Sequence, residues 1–237
     1  MQFSLAKRAV CEAIGTAILL AAIVGSGIMA QRLSGGNVAL ALLANTLATG
    51  GVLVAIILTF GSISGGHFNP AVSIADAWQG GLSWRDVPAY VAAQIAGAIA
   101  GVAVADVMFD EPLLFLSHHA RHGPSQMLSE FVATFGLLAV IWGCARYRSA
   151  ATPFAVAAYI VGAYWFTAST SFANPAVTIA RSLSDTFAGI APADVPGFIV
   201  AQILGAFAAT ALFAWLTVTQ ASARDVILPH ASTKGSA

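Results

Sequence analysis

Two stretches of the chain carry the same phrase: FNPAVSIADAW at residues 68–78 and ANPAVTIARSL at 173–183. Each reads Asn-Pro-Ala-Val, then a hydroxyl residue, Ile and Ala. Asparagine is a good helix N-cap, and proline suits the first helical turn because no N–H is needed there. Each phrase therefore starts a helix, the first over about 69–78 and the second over about 174–183. About ten residues at 1.5 Å rise give about 15 Å, half of a bilayer's ~30 Å hydrocarbon core. These are half-helices if they lie in a membrane. The segments before them do not read as helix: SISGGHFNP at 62–70 is glycine-rich, and STSFANP at 169–175 is its polar counterpart.

The surroundings are those of a membrane protein. Of the 237 residues, 58% are hydrophobic and 8% charged, against about 25% charged in a soluble domain. No charge falls between Glu12 and Arg32, between Arg32 and Asp76, or between Arg148 and Arg181. Six helical spans are expected, at about 9–31, 38–61, 87–109, 127–146, 152–169 and 195–219. The first run is full length and lacks a small-residue cleavage pattern, so no signal peptide is expected. Lys7, Arg8, Arg85, Arg146, Arg148, Arg224 and Lys234 fall on one side, and Arg32, Arg121 and Arg181 on the other. The positive-inside rule then places both termini in the cytoplasm, in a plasma or inner membrane. The zero net charge gives no nucleic-acid footprint.

The two halves match beyond the repeated phrase. EAIGTAILLAAIVGSG at 12–27 pairs with EFVATFGLLAVIWGC at 130–144, and AAQIAGAIAG at 92–101 with VAQILGAFAA at 200–209. Each half has an odd number of spans, so the second enters the membrane upside down. The fold expected is all-α: six transmembrane helices plus two re-entrant half-helices in an inverted repeat. The divisions are 1–109 for the first repeat, 110–126 for an outer loop, 127–220 for the second repeat and 221–237 for a cytoplasmic tail. Inverted repeats place their functional site at the midplane between the halves.

Non-helical backbone at membrane depth is tolerated only against protein or a water-filled cavity. That implies a pore. The carbonyls of Gly65, Gly66, His67, Thr170, Ser171 and Phe172 form a candidate acceptor ladder, with the amides of Asn69 and Asn174 as donors at the midpoint. Each half-helix start carries about half a positive charge, and two meeting there repel cations.

SGGHFNPAV at 64–72, SFANPAV at 171–177 and the paired Glu and Gln residues resemble the major intrinsic protein family of aquaporins and aquaglyceroporins, over about residues 8–220. The resemblance implies an aquaporin-like homotetramer with one pore per subunit, passing water or small neutral solutes with no cofactor. The pore motifs would be Asn69, Pro70, Ala71 and Asn174, Pro175, Ala176. The family's constriction falls at Thr49, Gly162, Ser171 and Val177. Members normally carry arginine at the last position, and water-specific ones add an aromatic and a histidine. This chain has none of these there. The pattern resembles the arginine-less bacterial branch associated with arsenic resistance. It implies a wide filter for glycerol- or urea-like solutes and neutral metalloid acids such as arsenous acid. Arg181, one turn beyond Val177, is expected near the outer surface and not as a substitute.

Glu12 and Glu130 are carboxylates in apolar helices. They read as supports for the re-entrant loops together with Gln94 and Gln202, or as a proton relay in a coupled secondary transporter. A water-selective channel and a junctional protein with a degenerate pore compete with the wide-filter channel as functions. No nucleophile–base pair or metal motif marks an enzyme. His67 reads as a loop anchor or a pH-sensitive gate. His118, His119 and His122 lie in SHHARHG at 117–123, expected to be a wet, flexible vestibule loop without metal-ligand spacing. Trp84 and Tyr90 read as interfacial anchors. Cys11 and Cys144 read as packed thiols.

Overall fold

A computed structural model describes residues 3–217, and every regular element among them is helical. The α-helices are α1 (Leu5–Leu33), α2 (Val38–Ser64), α3 (Pro70–Trp78), α4 (Val87–Met108), α5 (Pro124–Tyr147), α6 (Thr152–Phe166), α7 (Pro175–Arg181) and α8 (Val195–Leu216). Six segments are long and apolar enough to cross a membrane. The remaining two, α3 and α7, have nine and seven residues, about 13 Å and 10 Å of rise. The tail at 221–237 lies outside the described residues.

The half-helices start where the caps dictate. Asn69 Oδ1 accepts from the Ala71 N–H at 2.9 Å, and Asn174 Oδ1 from the Ala176 and Val177 N–H groups at 3.0 and 3.3 Å. Helix α7 stops at Arg181, two residues before the expected end, because the Ser182 hydroxyl turns back onto the Ile179 carbonyl at 2.7 Å. Helix α2 runs on to Ser64, where Gly65 ends it at φ 95°, a left-handed cap that suits glycine. Helix α6 ends at Phe166, short of 169, and Thr167 is already extended (φ −110°, ψ 136°). The fifth crossing therefore yields its last turn to the loop.

Packing follows the repeat. Helix α1 packs on α2 and α4, α5 packs on α6 and α8, and α2 against α6 joins the halves. Each half-helix rests on α4 and α8, one from its own half and one from the other. The close approaches are made by glycine. A Cβ on Gly97 would collide with the Ala13 carbonyl of α1, and one on Gly205 with the Phe131 carbonyl of α5. Without a hydrophobic drive between helices in lipid, such close backbone contact is a main source of association. Outward faces carry exposed apolar residues such as Leu40, Leu43 and Leu47 on α2 and Val200 and Leu204 on α8. Cys11 and Cys144 are free and half-buried.

Tyr90 departs from expectation. It is fully buried, donating its hydroxyl to the Ser64 carbonyl at 2.7 Å, so it supports the loop instead of anchoring an interface. Trp84 is 57% exposed.

Gly97→Val and Gly205→Val should each lower stability by about 1–3 kcal/mol or more through overpacking. Thermal unfolding in detergent measures this. Gly51→Ala, whose added methyl meets nothing within 4 Å, should leave the melting temperature unchanged or raised.

Candidate functional site: the pore between the half-helices

The two loops that lead into α3 and α7 are strained alike. Phe68 and Ala173, each directly before its asparagine, both sit at φ 48°; Thr170 and Ser171 sit at 62° and 52° where the first loop has Gly65 and Gly66 at 95° and 64°. A non-glycine residue in this region costs roughly 1–3 kcal/mol and persists only if its surroundings fix it. Glu12 and Glu130 fix it. Glu12 is fully buried and accepts from the His67 and Phe68 N–H groups at 3.1 and 2.6 Å, the Ser64 hydroxyl at 2.6 Å and the Gln94 amide at 2.8 Å. Glu130 accepts from the Phe172 and Ala173 N–H groups, both at 2.9 Å, and from Gln202 at 2.6 Å. Gln94 also donates to Ser73 in α3 at 2.9 Å, and Gln202 to Thr178 in α7 at 2.8 Å. Hydrogen bonds to a charged group contribute roughly 1.5–3 kcal/mol each, enough to offset the backbone strain. Every carboxylate oxygen is occupied by a loop or helix donor.

At the centre the halves exchange bonds. Asn69 Nδ2 donates to the Ala173 carbonyl at 2.7 Å, and Asn174 Nδ2 to the Phe68 carbonyl at 2.8 Å. An amide nitrogen carries two N–H groups, so each asparagine keeps one donor beyond this cross-link. Both asparagines line the same cavity. Its lining combines the loop residues Gly66, His67, Ser171 and Phe172 and the asparagines with the aliphatic Leu19, Leu53, Ile57, Leu137, Val156 and Ile160. Of the candidate ladder residues, Gly65 and Thr170 are not in this lining, whereas Phe68 and Ala173 are.

Three of the four constriction candidates, Thr49, Ser171 and Val177, meet at this cavity; Gly162 does not. Val156, Ile160 and Tyr164 repeat at helical spacing and face it. Gly162 is about 200° around α6 from Ile160 and is exposed, with open space where a side chain would stand. Tyr164 takes the place expected of it, with its hydroxyl 3.4 Å from the Thr49 hydroxyl. The aromatic thus lies two residues past the position that spacing selects. The α6 apolar repeat is the signal that could have found it.

Arg181 is a second difference. It is 2% exposed and lines the cavity. It shares a helix face with Val177 four residues earlier, its Nε donates to the Ala188 carbonyl, and its guanidinium stacks 3.4 Å from the Phe172 ring centre. Arg121 from the α4–α5 loop lies on the same ring at 4.9 Å and donates to the Gly189 and Ser169 carbonyls at 2.8 and 3.1 Å. Burial pushes its pKa down to about 10, so it stays charged at neutral pH. Burial and the charges of Arg121 and Arg181 push His119 below its ordinary value.

The α4–α5 loop is therefore pinned across the pore mouth. The Ser117 N–H donates to the Ser182 carbonyl at 3.0 Å, and the Ala191 N–H to the His119 carbonyl at 2.8 Å. The histidines are dispersed: His118 binds Asp185 at 3.0 Å, holding that carboxyl below the usual range, and His122 lies 3.9 Å from Asp194. Among the described residues no three His, Cys, Asp or Glu side chains gather as a metal site. His67 Nδ1 lies 3.0 Å from the Ser73 hydroxyl, and its Nε2 3.5 Å from buried Asp76.

Comparison with known proteins places this architecture. The profile of the major intrinsic protein family matches residues 1–168 and again 146–236. The chain belongs to the major intrinsic protein family. Aquaglyceroporin AqpS of Rhizobium meliloti is 56% identical over 215 residues, 91% of this chain and 92% of that one. Aquaporin NIP3-1 of Arabidopsis thaliana is 31% identical over 196 residues, 78% of this chain and 60% of that one. In fold, the X-ray structure of the aquaglyceroporin from Plasmodium falciparum matches with TM-score 0.62 at 19% identity, covering 90% of this chain and 95% of that one. Members of this family are membrane channels and not enzymes, and this chain's six crossings and two half-helices are that fold.

Glu12→Gln and Glu130→Gln each replace one acceptor oxygen with an NH₂ that faces loop donors. Each should destabilise by about 3 kcal/mol or more, the cost of breaking a buried charged network. Because the two sites are built alike, the drops in melting temperature should be similar, which thermal unfolding of the purified variants checks.

Proposed function

We propose that the chain is a passive channel for small neutral solutes wider than water, with glycerol- or urea-like molecules and neutral metalloid acids such as arsenous acid among them. The observation that carries this is the mixed lining of the cavity, loop residues and both asparagines together with aliphatic side chains. Such a path suits a molecule with polar oxygens and little charge, since an ion would leave its hydration shell against the aliphatic side chains. Thr49, Ser171 and Val177 are small and leave room for such a solute, and the high identity to a protein named as an aquaglyceroporin points the same way. Tyr164 narrows the mouth on the Thr49 side, leaving Val177 as the residue that widens it. Asn69 and Asn174 bind the passing oxygens at the centre, and the carbonyls of the two loops accept from its hydroxyls.

The distribution of lysine and arginine supports cytoplasmic termini in a plasma or inner membrane, an orientation in which the α4–α5 loop faces outward. Family membership supports a homotetramer with one pore per subunit, its neighbours and lipid covering the apolar outer faces. A proton-coupled transporter using Glu12 and Glu130 is disfavoured by the hydrogen bonds that already occupy both carboxylates.

Stopped-flow light scattering on proteoliposomes tests the solute class. The wild type should pass glycerol, urea and arsenous acid with near-linear concentration dependence and no proton coupling. Val177→Arg should cut glycerol and arsenous acid flux at least about tenfold, the scale of a steric mismatch in a pocket, while water flux falls less. A wild type that passes only water, or a variant with unchanged solute flux, would overturn the wide-filter reading.

A further inference from the structure

The first pore residue of each half-helix repeats as valine, Val72 and Val177. One turn on, the repeat breaks its symmetry in charge: Asp76 stands in α3 and Arg181 in α7. Each packs on the equivalent loop residue of its own half. Asp76 meets the His67 ring at 3.5 Å, and Arg181 covers the Phe172 ring at 3.4 Å. The two half-helices therefore differ in the charged residue they carry at this position.

We propose that Arg181 is the cation-excluding residue of this pore, acting one helical turn from the position that Val177 leaves without charge. The proposal rests on the channel reading above and adds which residue gives it ion selectivity. Arg181 lines the same cavity as Thr49, Tyr164 and Val177, so its charge stands beside the permeation path. It is fixed there by the Ala188 carbonyl and by the Phe172 ring. Its Nη1 is buried without a hydrogen-bond partner, so the fork is not consumed by structure. Among the described residues no carboxylate lies within ion-pair distance of Arg181 or of Arg121; nearby acids are held by other partners, Asp185 by His118, Asp194 by His122 and the Arg121 backbone, Glu111 by Arg32, Asp106 by Ser184, and Glu130 by the loop N–H groups and Gln202. Two guanidinium groups without a direct ion-pair partner share one aromatic ring and raise the local potential. A permeating cation meets that potential before it reaches the half-helix starts. A neutral solute passes without penalty and gains a donor for its oxygens.

The experiment uses the full chain in proteoliposomes loaded with a pH-sensitive dye, under an imposed membrane potential. Proton leak and glycerol flux are measured in parallel for wild type, Arg181→Gln, Arg181→Lys and Arg181→Met. The methionine variant keeps a long side chain on Phe172 and serves where the glutamine variant does not fold. Removing one charge about 8 Å from a passing cation, at an effective dielectric of about 20, should raise leak about thirtyfold. Arg181→Lys, which keeps the charge and loses the fork, should return leak to within about threefold of wild type. Glycerol flux in the same vesicles reports whether each variant forms a pore, and leak is read relative to that flux. Leak at the wild-type level in both neutral variants, or a lysine variant that leaks as they do, overturns the proposal. A wild type that passes no solute overturns the channel reading instead.

Discussion

Everything in this molecule depends on satisfying loop backbone inside a membrane. Water is not there to accept or donate, so an unpaired N–H costs several kcal/mol. Two re-entrant loops would leave several such groups in each half. Glu12 and Glu130 meet that constraint from within their helices, each taking two consecutive loop N–H groups on its carboxylate. With those N–H groups paired to the carboxylates, the loop backbone can run at membrane depth without unmet donors there. The buried charge that reads as an anomaly in an apolar helix is thus the reason that such a loop can line the pore. Gln94 and Gln202 extend the support into the half-helices, through Ser73 and Thr178, so the loop and the helix it starts move as one piece.

The architecture is legible in the sequence because its signals are strong and doubled. Uncharged runs mark the crossings, and the Asn-Pro pair marks a helix start whatever surrounds it. The paired Glu and Gln residues are readable as loop supports because each occurs at the same place in both halves. The constriction is less legible. Counting back from Asn174 selects Gly162, but α6 ends early at Phe166 and its inward face is set by Val156 and Ile160. Helical phase, not distance along the chain, decides that Tyr164 lines the pore. Arg181 reads as a surface residue because charge in apolar surroundings is expected to seek water. Its stack on Phe172 and its bond to Ala188 depend on residues that only the folded chain brings together. Tyr90 misleads for the same reason, since its partner Ser64 lies on another helix.

The repeat is therefore exact in its scaffold and loose in its chemistry. The carboxylate, the amide, the hydroxyl in the half-helix and the asparagine cap recur in both halves, because membrane burial imposes the same hydrogen-bond demand on each. Some positions that line the cavity are free of that demand and have diverged, His67 against Phe172 and Gly66 against Ser171. Backbone strain follows the same division. The second half carries Thr170 and Ser171 in a conformation where the first has glycines, and it can do so because Glu130 holds the segment that follows.

The reciprocal bonds between Asn69 and the Ala173 carbonyl, and between Asn174 and the Phe68 carbonyl, also bear on biogenesis. Neither half contains its own partner. When the first three crossings leave the ribosome, the Asn69 amide and the Phe68 carbonyl have nothing at the midplane to bind, and the half-made pore has only one wall. The centre can close only once the second half supplies both missing groups. A chain truncated after the first half would be left with those polar groups unpaired at the depth where they cost most.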